Sequence, residues 1–126
     1  MASGTVPIPA FGDGASYVKV SDGTLIQWGI TSVNIPSGSR YVDKVVSYPV
    51  VFHSSTVNPC VIVGLSPYGA GTDDVENVCI PSATKINASG TLFSSFTLRV
   101  WKQESVKDKG YSPSPVISWV AIGRWK

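Results

Sequence analysis

Apolar and polar residues alternate with a period of two along most of the chain, and no stretch shows the 3.6-residue period of an amphipathic helix. The pattern is strongest at the C-terminus. There Ile117, Trp119, Ala121, Gly123 and Trp125 share one face, and Val116, Ser118, Val120, Ile122 and Arg124 share the other. Both faces are largely apolar, whereas a strand buried on one side only would alternate with polar residues. The terminal strand therefore predicts cover on each side. A second sheet is the natural cover for one face and a neighbouring subunit for the other, and the two faces are interchangeable on sequence grounds.

Upstream, the turn signal Ser21-Asp22-Gly23-Thr24 sits between two alternating segments and predicts a hairpin with arms near Tyr17 to Val20 and Leu25 to Thr31. In its second arm Ile26, Trp28 and Ile30 form the apolar face, and Gln27, Gly29 and Thr31 the other. YVDKVVSYPVVF places Val46, Tyr48, Val50 and Phe52 together, with Pro49 predicting a break or a sheet edge. The continuous run CVIVGL, Cys60 to Leu65, predicts a short central strand. ENVCIPSATKINASGT predicts at most two short strands separated at Pro81-Ser82. LFSSFTLRVWK predicts a long strand with Leu92, Ser94, Phe96, Leu98 and Val100 toward the core and Phe93, Arg99 and Trp101 outward. Residues 1–15, rich in Pro and Gly, read as an extended segment without structure of its own, and 16–126 as one domain. The expected class is all-β, an antiparallel sandwich of about six to seven strands.

Composition agrees with a single packed domain: 126 residues, 43% hydrophobic. Only 14% of residues are charged, which suits a surface partly covered by other subunits. A net charge of +2 with scattered basic residues argues against nucleic-acid binding. No apolar run reaches the roughly 18 residues that span a bilayer, so membrane insertion is not expected.

The chemistry of sites is sparse. His53 is the one histidine, and no nucleophile motif, phosphate loop or metal-ligand spacing accompanies it, so neither an enzyme nor a cofactor or metal is expected. Cys60 and Cys79 read as small hydrophobes, with a bridge between them left open. Asp73, Asp74 and Glu76 form an acidic loop that lacks calcium-loop spacing; Asp73 and Asp74 remain candidate acceptors for sugar hydroxyls. Trp101 and Arg99, with Tyr68 and Tyr111 in adjoining loops, carry the aromatic and guanidinium groups that read sugar rings and peptide surfaces. Subunit packing uses the same residue types.

The succession YVKVSDGTLIQWG, a strand ending VVF, CVIVGL, FTLRVW and a closing ISWVAIG resembles the C-terminal tip domain of bacteriophage tail fibres, which in turn resembles the H-type lectins. The resemblance covers roughly residues 16–125. It implies an H-type-lectin-like sandwich that forms a homotrimer, caps a fibre shaft of which residues 1–15 would be the stub, and contacts a glycan or protein receptor on the bacterial surface. It also implies a place at the tip of the virion's tail fibre after assembly in the host cytoplasm. Trp101, Arg99, Tyr68, Asp73, Asp74 and Tyr111 are then the candidate ligand-binding residues, and Val120, Ile122 and Phe93 the candidate trimer contacts. The alternative is a structural trimerisation cap with no ligand of its own.

Overall fold

The computed structural model describes residues 2–5, 14–36, 38–53, 58–66, 79–102 and 115–126. These form eight strands: β1 (Ala2–Thr5), β2 (Gly14–Lys19), β3 (Thr24–Ser32), β4 (Tyr41–His53), β5 (Cys60–Ser66), β6 (Cys79–Ser89), β7 (Leu92–Lys102) and β8 (Val116–Arg124). All pairings are antiparallel, and there is no helix among the described residues. The strands lie in two layers. In the first, β1, β2, β3 and β8 follow one another and β5 pairs the far side of β8; in the second the order is β4, β7, β6. The pair His53–Arg124 joins them into one folded-over sheet. The all-β sandwich is thus observed, with Ala2–Thr5 adding an edge strand from within the segment expected to be merely extended.

The β2–β3 hairpin forms for local reasons. Gly23 has φ +101°, a conformation L side chains rarely adopt, and the Asp22 carboxylate accepts from the Thr24 N–H at 2.9 Å. The C-terminus then clasps the turn. Trp125 donates its indole N–H to Val20 O at 2.9 Å and its backbone N–H to Gly23 O, while Arg124 donates to Asp22 O.

Between the layers lie Leu25, Ile35, Phe52, Phe96, Leu98, Val100, Ile117, Trp119 and Ala121. Phe96 and Trp119 meet edge to face across the layers with centroids 5.6 Å apart, and Tyr48 packs at right angles to Phe52 at 4.8 Å. Such pairs add about 0.5–1.5 kcal/mol beyond the burial of their area. Gly123 holds the layers close, because a Cβ there would come within 2.7 Å of the Phe52 ring. Gly123→Ala is therefore expected to lower stability by about 1–3 kcal/mol, seen as a lower urea midpoint with unchanged slope.

One facing left open by the sequence is now settled, and three expectations need correction. The apolar face of β3 points outward: Trp28 is 37% exposed, while Leu25, Gln27 and Thr31 are buried. Gln27 is inside because it completes another strand's hydrogen bonding. Against β7, β4 loses register between Ser47 and Phe52, around Pro49, and Gln27 donates to Val50 O at 2.7 Å while accepting from the Val50 N–H at 2.9 Å. First, CVIVGL is not central. Among the described residues β5 pairs only with β8, and its run is continuous because Val61, Val63 and Leu65 meet the core while Cys60 and Ile62 continue an apolar outer face. Second, Cys79–Ser89 is one strand, since on a sheet edge Pro81 has no ladder donor to lose. Third, Phe93, grouped by alternation with the outward residues, pairs with Phe52 beyond the irregularity in β4 and lies half-buried against the core. The two cysteines are free, Cys60 exposed and Cys79 buried.

Tyr48 is buried, and its hydroxyl has no hydrogen-bond partner among the described residues. Burial pushes its ionisation far above the ordinary 10.0. The folded chain then holds a proton that the unfolded chain releases above pH 10, so the stability this group confers is complete below that value and declines as pH rises beyond it. Tyr48→Phe is expected to cost less than about 1 kcal/mol at neutral pH, because it removes an unpartnered polar atom, and to flatten the alkaline decline in pH-dependent denaturation.

Candidate functional site

The connections are unequal at the two ends of the sandwich. At one end stand the β2–β3 turn, the short β6–β7 turn at Gly90 and Thr91, and the close of β8. Ala2 is also there, opposite Lys19. At the other end β3, β5 and β7 finish and β4, β6 and β8 begin, as the pairings of Ser32 and Ser66 with Val116 and of Tyr41 and Ile80 with Trp101 require. Segments 33–40, 67–78 and 103–115 therefore all depart from or return to this loop end.

Lys102 organises the described part of it. The side chain is only 2% exposed, its ammonium donates to Pro36 O at 3.0 Å, and its backbone N–H donates to Arg40 O at 2.8 Å. Desolvating an ammonium is costly unless it is hydrogen-bonded, so these contacts tie Pro36 and Arg40 to β7 and with them the start of β4. Burial by the same packing pushes the neighbouring Cys79 thiol up, against the opposing pull of the Lys102 charge.

On the outer face of the second layer, beside the loop end, a cluster forms across β4, β7 and β6. Tyr41, Trp101 and Ile80 stand in one row, and Asp43, Arg99 and Ser82 in the next. The Tyr41 and Trp101 rings are tilted by 49° with centroids 4.9 Å apart. Arg99 grips Asp43 with two hydrogen bonds, Nε to Oδ1 at 2.7 Å and Nη2 to Oδ2 at 2.9 Å, and lies 4.1 Å over the Tyr41 ring. Those bonds hold the Asp43 carboxyl below its ordinary value and raise the Arg99 guanidinium in turn. Both groups stay ionised at neutral pH. Arg40 stands 5.6 Å over Trp101.

The structure thus brings two sequence-derived candidates, Trp101 and Arg99, together on one face. Tyr68, Asp73, Asp74 and Tyr111 lie outside the described residues, in the segments that leave β5 and β7 at this end. Tyr41 and Asp43 were missed by sequence reasoning. Their signal is the pair of i, i+2 motifs Tyr41-x-Asp43 and Arg99-x-Trp101, which face one another only in the observed register.

The opposite outer face, on the first layer, has a different chemistry. Ile26 and Cys60 flank Ile122, and Trp28 and Ile62 flank Val120, in cross-strand rows. Val120 is 38% exposed, Ile122 44% and Ile62 62%. A shallow, almost wholly apolar depression of about 230 Å³ opens there at Gly64 and Ser118, between Ile62 and Val120. A cleft of about 380 Å³ between the layers, lined by Ala15, Thr31, Val46, Tyr48, Pro49 and Trp119 among others, has no charged side chain among the described residues of its walls.

Comparison with solved structures finds similarity to the C-terminal part of the R1 pyocin fiber of P. aeruginosa, at 15% identity and a TM-score of 0.55. The likeness covers 98% of this chain and 28% of that one, and it shows a shared fold. No curated protein matches the sequence. Residues 19–124 match the family described as tail fiber protein gp53-like, C-terminal. That span takes in every strand but the first and most of the second, so the chain belongs to the C-terminal domain family of gp53-like tail fibre proteins.

Proposed function

We propose that this tail fibre domain is a non-enzymatic receptor-binding tip, which assembles as a homotrimer and recognises a carbohydrate on the bacterial surface. The supporting observation is the separation of its surfaces. Ala2 stands at the turn end, so a shaft joined upstream would meet the sandwich there and leave the loop end, with the Tyr41–Trp101–Arg99 cluster, facing outward. The apolar outer face of the first layer suits contact with further copies of the chain. Its exposed Trp28, Ile62, Val120 and Ile122 would otherwise form an unusually greasy surface, and the dent at Gly64 offers room for a partner's side chain. Three copies turn weak individual sites into firm attachment through avidity.

Purified chain added to host bacteria before the virus should bind the cells and reduce adsorption. Failure both to bind and to compete would overturn the receptor function. A trimerisation cap without a ligand of its own draws on the same apolar face. Normal adsorption by fibres carrying Trp101→Ala would favour that cap.

A further inference from the structure

We infer that the outer face of the second layer holds the ring of a neutral sugar, with Tyr41, Trp101 and Ile80 as its floor and the Asp43 carboxylate as its hydroxyl acceptor. This narrows the ligand class of the receptor-binding function proposed above, on which it rests.

The floor is apolar, and with Arg99 lying over the Tyr41 and Trp101 rings a sugar would meet the ring surface that the guanidinium leaves exposed. Tyr41 is 42% exposed and Ile80 60%, and with Trp101 between them they form a continuous row across three strands. The C–H face of a pyranose stacks on such a surface, because its weakly positive hydrogens meet the negative face of an aromatic ring. The next row begins with Asp43, two residues along β4 from Tyr41 and therefore about 7 Å away, which is within reach of the exocyclic hydroxyls of a ring lying on the floor. Each carboxylate oxygen accepts one bond from Arg99, leaving roughly half of its lone-pair capacity for hydroxyl donors.

Neutrality follows from the same ion pair. Arg99 already directs two donors at Asp43 and stacks on Tyr41, so its charge is matched within the protein and it acts as a positioning residue. An acidic sugar would have to approach the Asp43 carboxylate without a free guanidinium to receive it. Arg40, the other cation over the rings among the described residues, is itself engaged. Away from the loop end the described side chains of the face include Ser82 and Thr84, which donate to the carbonyls of Arg99 and Thr97, and Asn87, which reaches Ser95 Oγ at 3.1 Å. A strip of hydroxyls and an amide suits further neutral sugar units, and it contrasts with the apolar face of the first layer.

The test is NMR on the full chain with millimolar methyl glycosides of glucose, galactose, N-acetylglucosamine and N-acetylgalactosamine, against those of glucuronic and N-acetylneuraminic acid. At least one neutral glycoside is expected to shift the Tyr41 and Asp43 amide signals and the Trp101 indole signal. Asp43→Asn, an exposed change that keeps the fold, should weaken it on the order of tenfold or more. Tyr41→Phe should retain binding and Tyr41→Ala should abolish it. Preferential binding of the acidic glycosides, or no shift at these positions from any neutral one, would overturn the inference. If the domain competes with virus on cells and Asp43→Asn and Tyr41→Ala compete equally well, this site is wrong and the receptor, glycan or protein, is bound elsewhere. If the unaltered chain does not compete, the receptor function itself fails.

Discussion

Val120→Asp combined with Ile122→Asp is expected to dissociate the assembled protein into single, folded chains. Both side chains point away from the core, on the face opposite Trp119 and Ala121, so aspartates there meet water in the isolated chain and leave the sandwich packing intact. In an assembly the same positions sit amid Trp28, Ile26, Ile62 and Cys60. Burying an apolar side chain of this size contributes about 1.5–3 kcal/mol, and an unpaired carboxylate forced into such surroundings costs several more. Symmetry repeats that loss at every contact. Sedimentation velocity should show the fall in mass while the β-sheet circular dichroism persists. Cys60 gives a second readout. It shares the row of Ile122 and is exposed in the single chain, so its thiol should be slow to alkylate in the assembly and fast in the double variant, with Cys79 buried in both. An unchanged mass for the double variant would show that the contact lies elsewhere.

Gln27→Ala is expected to destabilise the fold by about 2–5 kcal/mol without altering subunit contacts. Gln27 is fully buried and supplies both a donor and an acceptor to Val50, where β4 departs from its ladder with β7. Leaving a buried backbone group unpaired costs about 1–3 kcal/mol, and the truncation strands two of them. Gln27→Glu keeps the acceptor but turns the donor bonded to Val50 O into a second acceptor, so it should lie closer to alanine than to the parent protein. Urea denaturation at neutral pH measures both. A loss below about 0.5 kcal/mol for Gln27→Ala would mean that Val50 finds other partners.

Gln27 also illustrates what the sequence could and could not disclose. The two faces of β8 were legible because alternation alone divides Trp119 and Ala121 from Val120 and Ile122, and the structure puts the first pair inside. The β2–β3 hairpin was legible because Asp22-Gly23 has one economical conformation. In β3 alternation separated the two faces but did not say which would be buried. Its apolar side faces outward, and its polar side faces inward because an irregularity 23 residues downstream needs an amide there. Pro49 signalled that irregularity, but nothing local to Val50 names its partner. The apolar run of β5 looked central because outward Ile62 and inward Val61 and Val63 belong to two different apolar surfaces.

The site was half legible for a related reason. Arg99 and Trp101 stand out within a single strand, as an outward cation beside an outward aromatic. Asp43 lies 56 residues from Arg99 and joins it only through the pairing of β4 with β7. The burial of Lys102 was equally out of reach of the sequence, because its bond to Pro36 spans 66 residues. Loop anchors of this kind are tertiary facts.

The division of the surface into an assembly face and a recognition face stands or falls with the number of chains in the particle. Light scattering on the unmodified protein should return three times the 13.4 kDa mass of one chain. A mass of one chain, at concentrations where fibres assemble, would contradict it, because Trp28, Ile62, Val120 and Ile122 would then face water with nothing to cover them.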